Sequence, residues 1–247
     1  MSKGSKWSWG RGVKGPASAT TALQLIRPGI GIVANDFVFP MNMRNGSPCF
    51  GSLGCGLHQM IFNQIWRGYY GIPTVNAAAG ASNSKLVDYQ NGYEKMFVAL
   101  TAALSGANII ALHGGVTAEL SYHPIQAILD DDIACLVGRT IEGVEVTLET
   151  MAVDLINRVG PIPGHFLAEE HTRKWWKKEH FMPKAADMSS YPEWLRKGRK
   201  NALEYAKDRM GEILRTHEPK PLSEREDREI NEILKEAREY YKEKGML

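Results

Sequence analysis

Three short apolar runs, each followed by a polar stretch and then by helical periodicity, constrain this chain more than any other feature. Residues 30–35 (IGIVAN), 72–77 (IPTVNA) and 108–112 (NIIAL) have the length and content of buried strands. Pro73 restricts the second of them, since proline is tolerated only at a strand's first positions. Over 53–70, Leu57, Met60, Ile61 and Ile65 recur at helical spacing, with Gly71 placed as a stop. Tyr93, Phe97, Leu100 and Leu104 do the same over 86–105. After the third run, Pro124 suits a helix first turn, and Ile125, Ile128, Leu129, Ile133 and Leu136 supply an apolar face. Strand–helix units in series build right-handed crossovers onto a parallel sheet, an α/β architecture. Ligand sites in such folds gather in the loops beyond the strand C-termini. Those loops are 36–52, 78–85 and 113–123, and function is expected there.

Charge marks a boundary further on. Residues 1–150 carry 10 basic and 10 acidic side chains, whereas the shorter stretch 151–247 carries 20 and 18. The change falls near Gly160-Pro161-Ile162-Pro163-Gly164, and the tail beyond reads as helical. Val144, Leu148, Met151, Leu155 and Val159 repeat at helical intervals, 165–179 forms a second amphipathic segment, and Ser223 with Glu226 makes a capping box. Ile230, Ile233, Leu234, Ala237 and Tyr241 then define one face of a final helix. Net charge is only +2, which gives no support to a nucleic-acid or membrane-surface protein. No apolar run approaches the roughly 20 residues of a membrane helix. The N-terminal MSKGSKWSWGRGVKG has no apolar core and is not read as a signal peptide. Three cysteines without metal-type spacing fit a reducing, cytoplasmic setting.

Several constellations admit both a chemical and a plain structural reading. Lys85 and Asp88, three apart between a strand and a helix, can meet on one face. Lys85 is then a base, nucleophile or electrostatic clamp, or else an ordinary loop lysine paired with Asp88. Phe37, Phe39 and Phe50 flank the polar loop Met41-Asn42-Met43-Arg44-Asn45-Gly46. Their rings either cradle a bulky cation or pack between layers. His113, Glu119, Tyr122 and His123 share one loop and can handle protons or orient a substrate, but no HExxH or CxxC spacing supports a metal. Asp130-Asp131-Asp132 reads as a solvated helix face. Trp175 and Trp176 sit among lysines whose charge the nearby glutamates nearly cancel, which favours packing over nucleic-acid contact. No GxGxxG or Walker loop is present.

In order and spacing, several segments resemble the trimethylamine methyltransferase family. They are Met41-x-Met43-Arg44-x-Gly46-x-Pro48; Ser84-Lys85-x-x-Asp88-x-Gln90-x-Gly92-Tyr93-Glu94-Lys95; Leu-Ser-Gly-Ala-Asn at 104–108; 133–143; Gly160-Pro161-x-x-Gly164-His165-Phe166-Leu167 with Glu170-His171-Thr172; and His217-Glu218-Pro219-x-Pro221-Leu222. The resemblance implies a (β/α)8 barrel that moves a methyl group from a tertiary or quaternary methylamine, trimethylamine or a betaine-like compound. The acceptor is the Co(I) corrinoid of a separate partner protein, with no cofactor held tightly by the chain itself. It also implies that Lys85 lies at or near the position where some members carry pyrrolysine.

The site residues expected on this basis are Lys85, Asp88 and His123 for catalysis, and Phe37, Phe39, Asn42, Arg44, Glu119 and Tyr122 for substrate binding. Asn42 stands where many members have an acid, and His123-Pro124 replace a Glu-Lys pair, so the substrate is expected to differ. An eight-unit barrel needs about 250 residues, whereas only three or four units are legible here. The expected organisation is therefore an irregular stretch 1–15, a partial barrel over 16–143 forming the C-terminal half of a longer protein, and a helical extension over 144–247. A homo-oligomer or an upstream half would bury the open edges. The alternative is a truncated, non-catalytic half-barrel that serves as a binding or assembly subunit.

Overall fold

The structure is a computed structural model that describes residues 16–35 and 38–246; the N-terminal stretch 1–15 and Phe37 lie outside the described residues. A helix over 16–26, α1, precedes three very short strands, β1 (Ala34–Asn35), β2 (Thr74–Asn76) and β3 (Ile109–Ile110). They form one parallel sheet in the order β1-β2-β3, with Ala34 opposite Thr74 and Val75 opposite Ile109. The crossovers are α2 (Leu53–Asn63), whose last turns widen into a π-helix over Gln64–Tyr69, and α3 (Tyr89–Leu104). Ser52 caps α2 by accepting from the Cys55 amide, and Gly71 at φ +66 turns the chain out of the π-helix. The α/β alternation of the sequence is thus the alternation of the fold.

The faces these helices bury match the apolar stripes in the sequence only in part: Phe97 and Leu100 do pack against the core. Along α3 the buried positions are Asn91, Glu94, Lys95, Val98, Ala99 and Ala102, while Tyr93 and Leu104 are exposed. Along α2 they are Cys55, Gly56, His58, Gln59, Phe62 and Asn63, while Leu57 is exposed. Small residues let the helices approach closely. A Cβ on Gly56 would sit 2.6 Å from the Phe97 ring. Two apolar clusters result: Cys55, Ala78, Ala79, Val98, Ala99 and Val137, and separately Ala34, Phe62 and Trp66. Burying a side chain the size of Phe62 contributes about 1.5–3 kcal/mol, so the second cluster anchors α2 to β1.

Beyond β3 the chain forms an antiparallel hairpin, β4 (Gly115–Val116) with β5 (Ser121–Tyr122), in place of a plain loop. Helix α4 (Pro124–Glu142) follows, starting on Pro124 as the sequence indicates. The expected single helix over 144–159 is two, α5 (Leu148–Met151) and α6 (Val153–Val159), because Ala152 at φ +48 breaks the ladder. Next come α7 (Glu170–Glu179), α8 (Tyr191–Arg196), α9 (Ala202–Thr216) and α10 (Glu224–Glu243), the last capped reciprocally by Ser223 and Glu226. The chain divides into two compact units, up to Met210 and from Gly211 onward. Within the first, Arg139 of α4 pairs with Glu179 of α7 at 2.6 Å.

Candidate functional site

The three loops beyond the parallel strands are hydrogen-bonded to one another. Asn83 bridges the first two: its Oδ1 accepts from the Phe50 amide at 2.7 Å and its Nδ2 donates to Pro48 O at 2.8 Å. The second and third meet where the amides of Thr117 and Ala118 donate to Ser84 O and Ser82 O, each at 2.7 Å. Glycines permit this closeness. A Cβ on Gly80 would lie 2.6 Å from the His113 ring, and one on Gly115 would lie 2.6 Å from Gly80 O.

Glu94, on the buried face of α3, is the hub of the second loop. Its Oε2 accepts from Ser82 Oγ and from the Asn83 amide, both at 2.7 Å, and its Oε1 accepts from Gln90 Nε2 at 2.7 Å. Gly51 must lack a side chain for this carboxylate to pass, since a Cβ there would stand 2.3 Å from Glu94 Cβ. A buried anion with three donors is electrostatically satisfied and holds the loop shape.

Lys85 projects from this frame as an exposed amine whose Nζ donates to Asn83 O at 2.5 Å. Asp88 does not pair with it. Helix α3 starts at Tyr89, not at 86, and Asp88 is its N-cap, accepting from the Asn91 amide at 3.0 Å and from Ser84 Oγ at 2.7 Å. Those two bonds, the amide first, hold the Asp88 carboxyl below its ordinary value.

The first loop places Asn42 as a turn former. Its Oδ1 accepts from the Arg44 amide, its backbone closes on Ser47 and Gly46, and Met41 bridges to Pro48. Arg44 is exposed at the tip. Phe39 is half-buried, packed on Phe50 with ring centroids 4.3 Å apart and against the first apolar cluster. Its ring therefore serves, at least in part, the packing role weighed for it.

The third loop carries backbone strain. Thr117, Ala118 and Glu119 have φ of +56, +56 and +66, three consecutive side-chain-bearing residues in the left-handed region. Each such residue costs about 1–2 kcal/mol, and such strain persists only where surroundings enforce it. Here the bonds to Ser82 and Ser84 and the β4–β5 pairing do so. The outcome is that Glu119 Oε1 stands 3.7 Å from His113 Nε2. Tyr122 is 66% exposed on β5, and His123 stands at the N-cap position of α4 without a side-chain cap bond, its amide donating to Gly114 O at 2.9 Å. His123 Nδ1 is buried without a hydrogen-bond partner.

Beneath this loop lies a pair that the sequence reading passed over. Lys95 Nζ and Asp130 Oδ2 are 2.6 Å apart, and both side chains are buried, 0% and 1% exposed. Asp130 also accepts from the Gly114 amide at 2.7 Å and from Gln126 Nε2 at 2.8 Å. Desolvation lowers the Lys95 pKa, and the attraction of Asp130 opposes that shift. The aspartate run is therefore not one solvated face. Only Asp131 and Asp132 lie outside the core, where Asp131 meets Lys184 and Asp132 accepts from the amides of 184–186. The signal that would have found the pair is positional. Asn91, Glu94, Lys95, Val98 and Ala102 share one side of α3, and the small apolar members mark that side as inward.

Chemically, the three joined loops carry an exposed amine, a carboxylate beside an imidazole, and a tyrosine, with Glu94 of α3 and Asp130 of α4 ordering their backbones. Among the described residues no group of three or more His, Cys, Asp or Glu is arranged to hold a metal ion, and no described helix is long and apolar enough to cross a membrane.

Comparison with known proteins matches residues 17–240 to the family described as trimethylamine methyltransferase. A glycine betaine methyltransferase of Desulfitobacterium hafniense (strain Y51) is 33% identical over 214 residues, covering 85% of this chain and 43% of that protein. A trimethylamine methyltransferase of D. hafniense (strain DSM 10664 / DCB-2) is 29% identical over 223 residues, 88% of this chain and 43% of its own. One from Methanosarcina thermophila is 29% identical over 205 residues, 83% and 42% respectively. The chain thus spans a little over two fifths of the length of these relatives.

Proposed function

The chain belongs to the trimethylamine methyltransferase family, and from that premise we propose that it takes part in moving a methyl group from a tertiary or quaternary methylamine to the Co(I) corrinoid of a partner protein. The observation that carries the proposal is the family match over 17–240, which includes all three site loops. The corrinoid is the methyl acceptor, hence a substrate, and it supplies the cobalt nucleophile when its carrier docks. The consecutive parallel strands β1-β2-β3 with α2 and α3 as crossovers support reading this body as part of a (β/α)8 barrel.

The roles proposed for the residues follow from their chemistry. A quaternary ammonium has no N–H to donate, so it is held by aromatic faces and carboxylates. Glu119 and Tyr122, on the strained hairpin, suit that task, with Phe39, Asn42 and Arg44 shaping the opposite loop. Displacement of a methyl group demands positioning in line and exclusion of water more than proton transfer. Lys85 is the reactive or clamping group at the centre; Asp88 orders the turn that presents it, and His123, at the head of α4, is the remaining group proposed to serve the chemistry. Exposed Met43, Leu86 and Leu120 on these same loops offer an apolar rim that suits a macrocycle's face.

The test is methylation of cob(I)alamin by trimethylamine or glycine betaine, read as the spectrum of methylcob(III)alamin. Turnover with one of these amines, reduced at least tenfold by Lys85→Ala, is the expected outcome. No methylcobalamin from any methylated amine would overturn the catalytic reading. The departures at Asn42, whose side chain closes a turn, and at His123-Pro124 favour one second reading, a non-catalytic binding or assembly subunit. Stable capture of the corrinoid protein without turnover would select it.

A further inference from the structure

We propose that Lys95 and Asp130 are positioning residues for the loop cluster, acting through the Gly114 amide to set His113 and the strained arm that carries Glu119. The inference rests on the methyltransferase reading only for its activity arm; its geometric arm stands apart.

A buried ion pair is poor evidence for a stabilising device. Desolvation of both partners consumes much of their attraction, and apolar pairs of similar volume often hold a fold equally well. The connectivity of Asp130 matters more than the pairing itself. Its Oδ2 receives both Lys95 Nζ, at 2.6 Å, and the Gly114 N–H, at 2.7 Å, while Oδ1 receives Gln126. Two donors from helices, one on α3 and one on α4, thereby orient a carboxylate whose remaining bond goes to the backbone of the site loop.

Gly114 is the pivot of that loop. It sits at φ +77, and a Cβ on it would meet His123 O at 2.8 Å and Ala127 Cβ at 3.0 Å. Immediately before it, His113 has its ring against Gly80; immediately after it, Gly115 opens the hairpin, paired with Tyr122. A shift of the Gly114 peptide therefore moves His113 and the hairpin together. The hairpin tip is already strained at Thr117, Ala118 and Glu119, so it relaxes readily once its base is released. An apolar pair at 95 and 130 would fill the space but could not fix that peptide.

Two double variants, both electrically neutral, isolate the effect. Lys95→Met with Asp130→Asn keeps an acceptor for the Gly114 N–H, whereas Lys95→Met with Asp130→Leu removes it. Residue-resolved amide exchange should show at least tenfold faster exchange at Gly114, Thr117 and Ala118 in the leucine pairing, with the α3 and α4 interior amides unchanged. The asparagine pairing should stay near wild type. In the methylcobalamin assay the leucine pairing should lose at least tenfold in kcat/KM, and the asparagine pairing should recover most of it.

Equal protection in both pairings, or a loss spread evenly over α3, α4 and the hairpin, would overturn the proposal and leave a purely structural pair. Should the leucine pairing fail to fold, Lys95→Met with Asp130→Ala makes the same comparison. An inactive wild-type chain would count against the methyltransferase reading, while the exchange result would still decide the positioning role.

Discussion

Replacing Glu94 tests whether the loop cluster is built on hydrogen bonds to one carboxylate. In the native site its oxygens accept from Ser82 Oγ, the Asn83 amide and Gln90 Nε2, each at 2.7 Å. Ser82 is fully buried and Asn83 half-buried, so neither donor finds water freely when its acceptor is lost, whereas Gln90 is half-buried with an end that can rotate outward. A buried donor left unsatisfied costs about 1–3 kcal/mol. Glu94→Ala strands two of them and is therefore expected to destabilise by about 2–6 kcal/mol.

Glu94→Gln retains one oxygen for Ser82 and Asn83, and the Gln90 amide can turn its oxygen to meet the new N–H. What remains lost is the charge assistance, worth about 1–2 kcal/mol over two bonds. Helix propensity does not confound the comparison, because Ala, Gln and Glu differ by only a few tenths of a kcal/mol in a helix interior. Urea unfolding with a common slope supplies the two values. In a cycle with Ser82→Ala, the double variant should cost less than the sum of the singles, since one bond is counted twice. An alanine variant no worse than the glutamine variant, or strict additivity with Ser82→Ala, would refute the idea that this carboxylate organises the loop.

Lys95→Met alone leaves the Asp130 carboxylate buried without its counter-ion and should be less stable than the neutral double variants by the same urea measurement. Because burial lowers the Lys95 pKa in the folded protein, the unfolded chain holds that proton more tightly. Stability from this residue should thus rise with pH between its lowered native value and 10.5, and the slope should vanish in Lys95→Met with Asp130→Leu. Asp88, held below its ordinary 3.8, contributes stability that is present above that value and lost as pH falls through the native one. Asp88→Asn should keep the cap yet flatten this acid limb in a pH series of melting curves. Ala118→Gly relieves the middle of the left-handed run, and after the added chain entropy of glycine it should stabilise by about 0.5–1 kcal/mol, read as a rise in Tm. A fall in Tm would mean the strain is not borne by that residue.

Much of the architecture was legible before any coordinates, because it depends on local patterns. Short apolar runs bounded by glycine and proline give strands wherever they pair, so β1, β2 and β3 fall inside 30–35, 72–77 and 108–112. Pro124 and the Ser223–Glu226 box mark helix starts by satisfying or removing orphan amides, which needs no distant partner. The meeting of the three post-strand loops at one end of the sheet follows from the sense of parallel strands. The family was legible as well, through the order of motifs from Met41 to Leu222.

Only the tertiary structure decided which side of each helix faces inward and what the charged residues there do. Helices α2 and α3 carry apolar groups around much of their circumference, so periodicity alone could not choose between Tyr93 or Leu57 and the neighbouring small-residue faces. Close packing chose the faces with Gly56, Ala99 and Ala102, because short side chains let backbones approach and exclude water. That choice carried Glu94 and Lys95 inward with them, and a charge taken from water must find partners. Its partners, Ser82 and Asn83 for one and Asp130 for the other, come from other parts of the chain, 12, 11 and 35 residues away. The left-handed run at 117–119 is likewise imposed from outside, by bonds to Ser82 and Ser84, since nothing in its side chains favours the conformation they adopt.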